Sequence, residues 1–367
     1  MGIDYKPLYS SDFRAPFTVK EDGEYYADLR KRLTLFVKVL REAGFDDQAV
    51  NAARKTADKV CESVRDYYRG NVGTCHQGIE NLVKRCAVNE MALSAVNGNT
   101  IFPAGNNADE IQFFRARLES DSRTFAPHEM LHLPFGIRHK TKGYRFSLPG
   151  VPSLYLSNTS YGCWIELGMP SEHDFHVSPV VLDGAQRVFN LAVMTRDLRI
   201  LRSLDAERLR VWVKLLVLMI ATSYRVTQTE RSFQSEYIIS QSIMVAGKKL
   251  GYDGVAYYSK RVTDELFARV AVNLALFADW KKGRDYGPIC EHLKIDESTN
   301  YQAYRQLHPL QDVEYPLRVD GSPYVTNVGS YRRQHDYRET EFHRFDQFLF
   351  GQWDDKDRIS WGNAIQP

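Results

Sequence analysis

No CxxC pair occurs in this chain, and its five cysteines (Cys61, Cys75, Cys86, Cys163 and Cys290) are odd in number and far apart. That excludes a disulfide framework and a zinc knuckle, and it fits reduced thiols in a cytoplasmic protein. Long apolar runs are missing too. The longest, Val211 to Thr222, is interrupted by Lys214 and falls short of the ~20 residues a bilayer span requires, so a buried helix is expected there. The opening MGIDYKPLYSSDFRAPF contains acidic residues and lacks the ~7–15 apolar residues of a secretory signal, so none is expected. Charge of one sign is absent. Lys+Arg 48 against Asp+Glu 46 leaves a formal net charge of +2, and no global field would hold the chain on nucleic acid or an anionic membrane. Neither GxGxxG nor GxxxxGK[ST] is present, which disfavours a Rossmann or P-loop nucleotide site.

What is present is a 367-residue chain, 43% apolar and 26% charged, long enough for more than one core. Leu29, Leu33, Phe36, Val37 and Leu40 recur at helical spacing before Gly44. Two further amphipathic stretches follow, from Asp46 to about Tyr68 and from about Thr74 to Ala95. Such stripes need one another to be buried, so residues 1–105 are expected to form an all-α N-terminal region. Turn-rich Asn97-Gly98-Asn99 and Pro103 to Asn107 then lead into short strands at Gln112–Arg117, Leu154–Ser157, Phe175–Leu182, Arg187–Val193, Val255–Tyr258 and Val272–Ala278. The third and fourth are expected to pair across Asp183-Gly184. Helices are expected at Tyr161–Leu167, Asp205–Tyr224 and Glu236–Leu250. This unevenly mixed order predicts an α+β fold over residues 106–280. Residues 281–367 lose periodicity but are rich in Tyr, Phe and Trp, as expected of a segment that wraps the core and buries aromatics singly.

Two places carry candidate chemistry. His128-Glu129-Met130-Leu131-His132 reads HExxH, the zinc-hydrolase spacing if it lies on a helix. Pro134, two residues on, opposes that helix, and a loop with locally bonded histidines is the other reading. The second place is spread along the chain. Alternation in Gln112–Arg117 puts Arg115 and Arg117 on one strand face, where paired guanidiniums suit a diphosphate or else face solvent beside acidic partners. Arg145 precedes a Pro-Gly turn into the strand holding Tyr155. Glu166 lies in an otherwise apolar helical turn that Thr159 or Ser160 would cap, and it is either exposed or aimed into a site.

The ordered series FRAR (Phe114–Arg117), HxPFxxRH (His132–His139), GYRFSLPGVPSLYLS (Gly143–Ser157), CWIEL (Cys163–Leu167), YIISQ (Tyr237–Gln241), LGYDGVAYYS (Leu250–Ser259) and VNLALF (Val272–Phe277) resembles the RES-domain family over about residues 108–280. That family is named for an arginine, a glutamate and a serine, matched here by Arg115, Glu166 and Ser259. The resemblance implies an ADP-ribosyltransferase-like mixed β core with flanking helices and a reaction on NAD⁺ as substrate, with no metal. Known members include toxins that destroy NAD⁺ by phosphorolysis or hydrolysis and one that ADP-ribosylates a host enzyme. Their partners are helix-turn-helix antitoxins. The implied roles give Arg115, Arg145 and Arg117 to the pyrophosphate, Tyr155 to the nicotinamide and ribose, Glu166 to the ribose 2′-hydroxyl and its developing positive charge, and Ser259 to holding the ribose or orienting Glu166. Inorganic phosphate, water and a protein side chain are the candidate acceptors. About a hundred extra N-terminal residues and the long C-terminal segment depart from the compact toxins. So does Phe146-Ser147 after Arg145, where short toxins carry Asn. Two other classes stay open at this point: a zinc-dependent hydrolase through residues 128–132, and a non-catalytic binding or assembly protein whose functional part is the N-terminal helices and which oligomerises with its partner; a homo-oligomer stays open in either case.

Overall fold

The structure is a computed structural model and describes residues 3–20, 22–86, 93–95, 110–120, 123–183, 186–195, 204–262, 268–308, 337 and 340–351. The turns expected at 97–107 and the aromatics Tyr315, Tyr324, Tyr331, Trp353 and Trp361 lie outside the described residues.

Along the chain, β1 (Phe17–Thr18) precedes helices α1 (Asp22–Glu42), α2 (Asp47–Tyr68) and α3 (Val72–Cys86). Next come β2 (Leu93–Ala95), β3 (Glu110–Leu118), β4 (Ser153–Ser157), α4 (Ser160–Glu166), β5 (Phe175–Asp183) and β6 (Arg187–Leu191). They are followed by α5 (Ala206–Thr222), β7 (Tyr224–Arg225), α6 (Ile238–Lys249), β8 (Gly254–Tyr258) and β9 (Val272–Phe277). The chain closes with β10 (Leu293–Ile295), β11 (Thr299–Asn300), α7 (Tyr301–Leu307) and α8 (Glu341–Gly351). The α+β class is borne out: N-terminal helices followed by strands in both parallel and antiparallel pairs.

The chain divides into two compact units. The first comprises residues 1–94, 142–148 and 187–260. In α2, Val50, Ala53, Ala57, Val60 and Val64 form the stripe the spacing predicts, and Asp46 caps its start by accepting from the Ala49 amide at 2.7 Å. Helix α5 is apolar on nearly every side and is buried among α1, α2 and α6, as such a helix must be. Among the described residues, no helix is long and apolar enough to cross a membrane. Strands β6 and β8 of this unit pair in parallel.

The second unit comprises residues 95–141, 149–186 and 261–367. Its strands run in the order β10-β5-β3-β4-β9, each antiparallel to the next. Strands β5 and β6 therefore take different partners, contrary to the hairpin expected across Asp183-Gly184. A local turn signal cannot choose a partner strand. The segment after residue 281 is also more regular than its composition suggests. Tyr301 and Tyr304 of α7 and Phe342, Phe345 and Leu349 of α8 bury against Phe114, Ala116, Tyr161, Cys163 and Ile165. In α8 the spacing Phe342, Phe345, Asp346, Leu349 is a helical stripe with a carboxylate inside it.

Candidate active site

Glu166 is the last residue of α4, a helix of 7 residues that is too short to be stable alone. Both of its ends are fastened. The Thr159 Oγ1 accepts from the Gly162 amide at 2.9 Å, and the Asp346 carboxylate of α8 accepts from the Ser160 amide at 3.1 Å. At the other end Gly168 takes φ +86°, Gly168 N donates to Ile165 O and Met169 N donates to Trp164 O, the Schellman closure that favours glycine. A Cβ on Gly162 would lie 2.2 Å from Ser157 Oγ and 3.3 Å from Ala271 Cα, so only glycine lets α4 approach β4 this closely.

The Glu166 side chain is about one third exposed, at 35%. Its Oε1 accepts from Asn273 Nδ2 of β9 at 2.5 Å, and its Oε2 lies 3.9 Å from Arg261 Nε. Neither Asn273 nor Arg261 was singled out by the sequence. The available signal was an amide within the otherwise apolar VNLALF strand.

On β3 the alternation is as expected. Phe114 and Ala116 fill the face toward α4, and Arg115 and Arg117 share the other with their register partners Ser178 and His176 of β5. Arg115 follows the point where β3 and β4 meet, at Phe114 and Ser157, and its Nη1 donates to Tyr155 O at 2.9 Å. Arg117 Nη2 donates to Leu131 O at 3.1 Å, and burial pushes its pKa below the usual guanidinium range. Burial raises the Cys163 thiol well above its ordinary range. The charge on Arg115 pulls it down, while the Asp346 and Glu166 carboxylates push it further up. Tyr155 is half-buried on β4 between Leu154 and Leu156.

Arg145 and Ser259 belong to the other unit. Ser259 is buried directly after β8. Arg145 is buried with Nη1 on Thr222 O at 2.5 Å and Nη2 on Tyr224 O at 2.8 Å, and its guanidinium lies 5.1 Å from the centre of the Tyr237 ring. It caps the last carbonyl of α5 at Thr222 and ties it to the Tyr224 carbonyl of β7, a role that no local pattern around Arg145 announces. Gln241 of the YIISQ motif donates to Tyr144 O and Ser147 O and so holds the turn that carries Arg145.

The HExxH is not helical. Pro127–Met130 forms a single 3-10 turn that ends before His132. His132 is buried; its Nε2 accepts from the Gly287 amide at 2.9 Å, so Nδ1 carries the proton donated to Leu133 O at 2.8 Å. Glu129 accepts from the Ala126 amide and pairs with Arg123 at 3.0 Å. With both ring nitrogens of His132 committed to the backbone, the zinc-hydrolase alternative is corrected to a structural loop. Among the described residues, no group of three or more His, Cys, Asp or Glu side chains could hold a metal.

The RES domain family model matches residues 117–289, beginning at Arg117, two residues after Arg115. A protein of Bacillus subtilis (strain 168) described as "Putative toxin YopC" is 23% identical over 331 residues, covering 85% of this chain and 72% of the relative. No solved structure matches the chain.

Proposed function

From a chain that carries a RES domain over residues 117–289, we propose an enzyme that breaks the nicotinamide–ribose bond of NAD⁺ and inhibits growth as a toxin does. The observation that carries this reading is the Glu166 carboxylate, fixed at the end of a doubly capped helix by the Asn273 amide. Cleavage of an N-glycosidic bond passes through an oxocarbenium-like state. A carboxylate that accepts from the ribose 2′-hydroxyl offsets the positive charge developing on that sugar, which is the role of Glu166. Nicotinamide leaves readily once positively charged in NAD⁺, so no strong general acid is required. Arg115 and Arg117, on one face of β3, supply the guanidinium donors for the pyrophosphate, and Tyr155 packs beside the nicotinamide and ribose. The fold class this reading draws on is that of the ADP-ribosyltransferases.

Phosphate, water and a protein side chain can each attack the ribose carbon that nicotinamide leaves, and the products tell them apart. The relative's toxin name supports growth inhibition, and a helix-turn-helix antitoxin is the partner that the resemblance to RES-domain toxins implies. The test is incubation with NAD⁺ in the presence and absence of inorganic phosphate, with products identified by NMR. Nicotinamide with ADP-ribose 1-phosphate marks phosphorolysis, and nicotinamide with ADP-ribose marks hydrolysis. No nicotinamide under either condition, or with cell extract as the acceptor, rejects the reading.

A further inference from the structure

Asn273 sits badly for stability. It is 3% exposed in a strand whose other members, Val272 and Leu274 to Phe277, are all buried and apolar. Its amide is oriented by Glu166: Nδ2 must face the Glu166 Oε1 it donates to at 2.5 Å, since the opposite orientation would set two acceptors together. That leaves Oδ1 buried with no hydrogen-bond partner among the described residues. An orphaned buried acceptor destabilises a fold, and an apolar residue of the same outline would avoid it. Such a departure from a local rule is expected where function requires it.

We infer that Asn273 is the positioning residue of the active site, holding Glu166 Oε1 so that the carboxylate keeps one orientation toward the ribose. The inference rests on the proposed reaction of Glu166 and adds the residue that aims it. Glu166 is one third exposed at the end of its helix, where a glutamate without a fixed partner samples several rotamers. The Asn273 bond removes that freedom before substrate arrives, which is the preorganisation a transition-state stabiliser needs. Arg261 lies 3.9 Å from Oε2, beyond direct hydrogen-bond range, so Asn273 makes the shorter of the two contacts.

The test compares wild type, Glu166→Gln, Asn273→Leu and Asn273→Ala, measuring nicotinamide release and thermal unfolding for each. Leucine keeps the branched outline of asparagine, and alanine cannot clash. Both variants are expected to lose about 10–100-fold in kcat with KM for NAD⁺ within about threefold, because binding through the arginines is untouched. Asn273→Leu is expected to melt no lower than wild type. If wild type turns over and Glu166→Gln does not, yet both Asn273 variants keep full kcat, the inference is overturned while the reading of Glu166 stands. A marked loss of melting temperature in Asn273→Leu that accompanies its loss of kcat overturns it in favour of a structural asparagine. An inactive wild type overturns the reading of Glu166 and this inference with it.

Discussion

The α8 carboxylate that fastens α4 should write itself into the pH dependence of stability. Asp346 is buried, accepting from the Ser160 amide at 3.1 Å and from Tyr337 Oη at 2.6 Å, and burial pushes its carboxyl from 3.8 up to about 7, with those hydrogen bonds opposing the rise. A carboxyl with a raised folded-state pKa binds more protons folded than unfolded, so its contribution is complete below about pH 4 and is lost as pH climbs through 7. The separation of about three pH units, at about 1.4 kcal/mol each, is worth about 4 kcal/mol. Asp346→Asn keeps the shape of the protonated acid, still accepts from Ser160 through its carbonyl, and stays neutral at every pH. Urea or thermal unfolding from pH 4 to 8 should therefore find the two proteins alike at pH 4 and the variant more stable by roughly 4 kcal/mol at pH 8. Groups that titrate identically in both proteins cancel in the difference. Parallel stability curves, or a variant weaker than wild type at pH 8, would refute the argument.

Two further outcomes follow from side chains already placed. Arg145→Met removes a buried cation that binds the last carbonyl of α5 and the Tyr224 carbonyl of β7, so it should cost about 2–4 kcal/mol of stability and leave KM for NAD⁺ within about twofold; an unchanged melting temperature with a large rise in KM would return Arg145 to the substrate. Burial pushes Cys61 up to about 11 and Cys86 and Cys290 up to about 12, and it also raises Cys75 and Cys163. At pH 8 a colorimetric thiol reagent should therefore label the folded chain slowly and all five cysteines quickly only in denaturant; rapid labelling of a native thiol would contradict this burial.

The parts of this fold legible in the sequence are those fixed by local periodicity. The stripes of α1 and α2, the apolar run of α5, the alternation around Arg115 and the Thr159 cap all follow from residues within a few turns of one another. What was illegible depends on distant partners. Arg145 beside a Pro-Gly turn resembles an anion binder until the carbonyls of Thr222 and Tyr224 arrive from 77 and 79 residues away. His132 has metal-ligand spacing from His128, yet its Nε2 is taken by an amide 155 residues on. Asn273 stood inside a motif without a role because its partner Glu166 is 107 residues away. The α8 stripe was hidden because its phenylalanines are interleaved with charged residues whose burial, in the case of Asp346, depends on α4.

In the proposed function Glu166 drives cleavage of the nicotinamide–ribose bond. Nicotinamide release from NAD⁺, with phosphate present, should be compared between wild type and Glu166→Gln, which preserves shape and removes the charge. Wild type is expected to turn over, and the variant to lose at least about 10²–10³-fold in kcat at an unchanged melting temperature. Turnover by Glu166→Gln at the wild-type rate would contradict it.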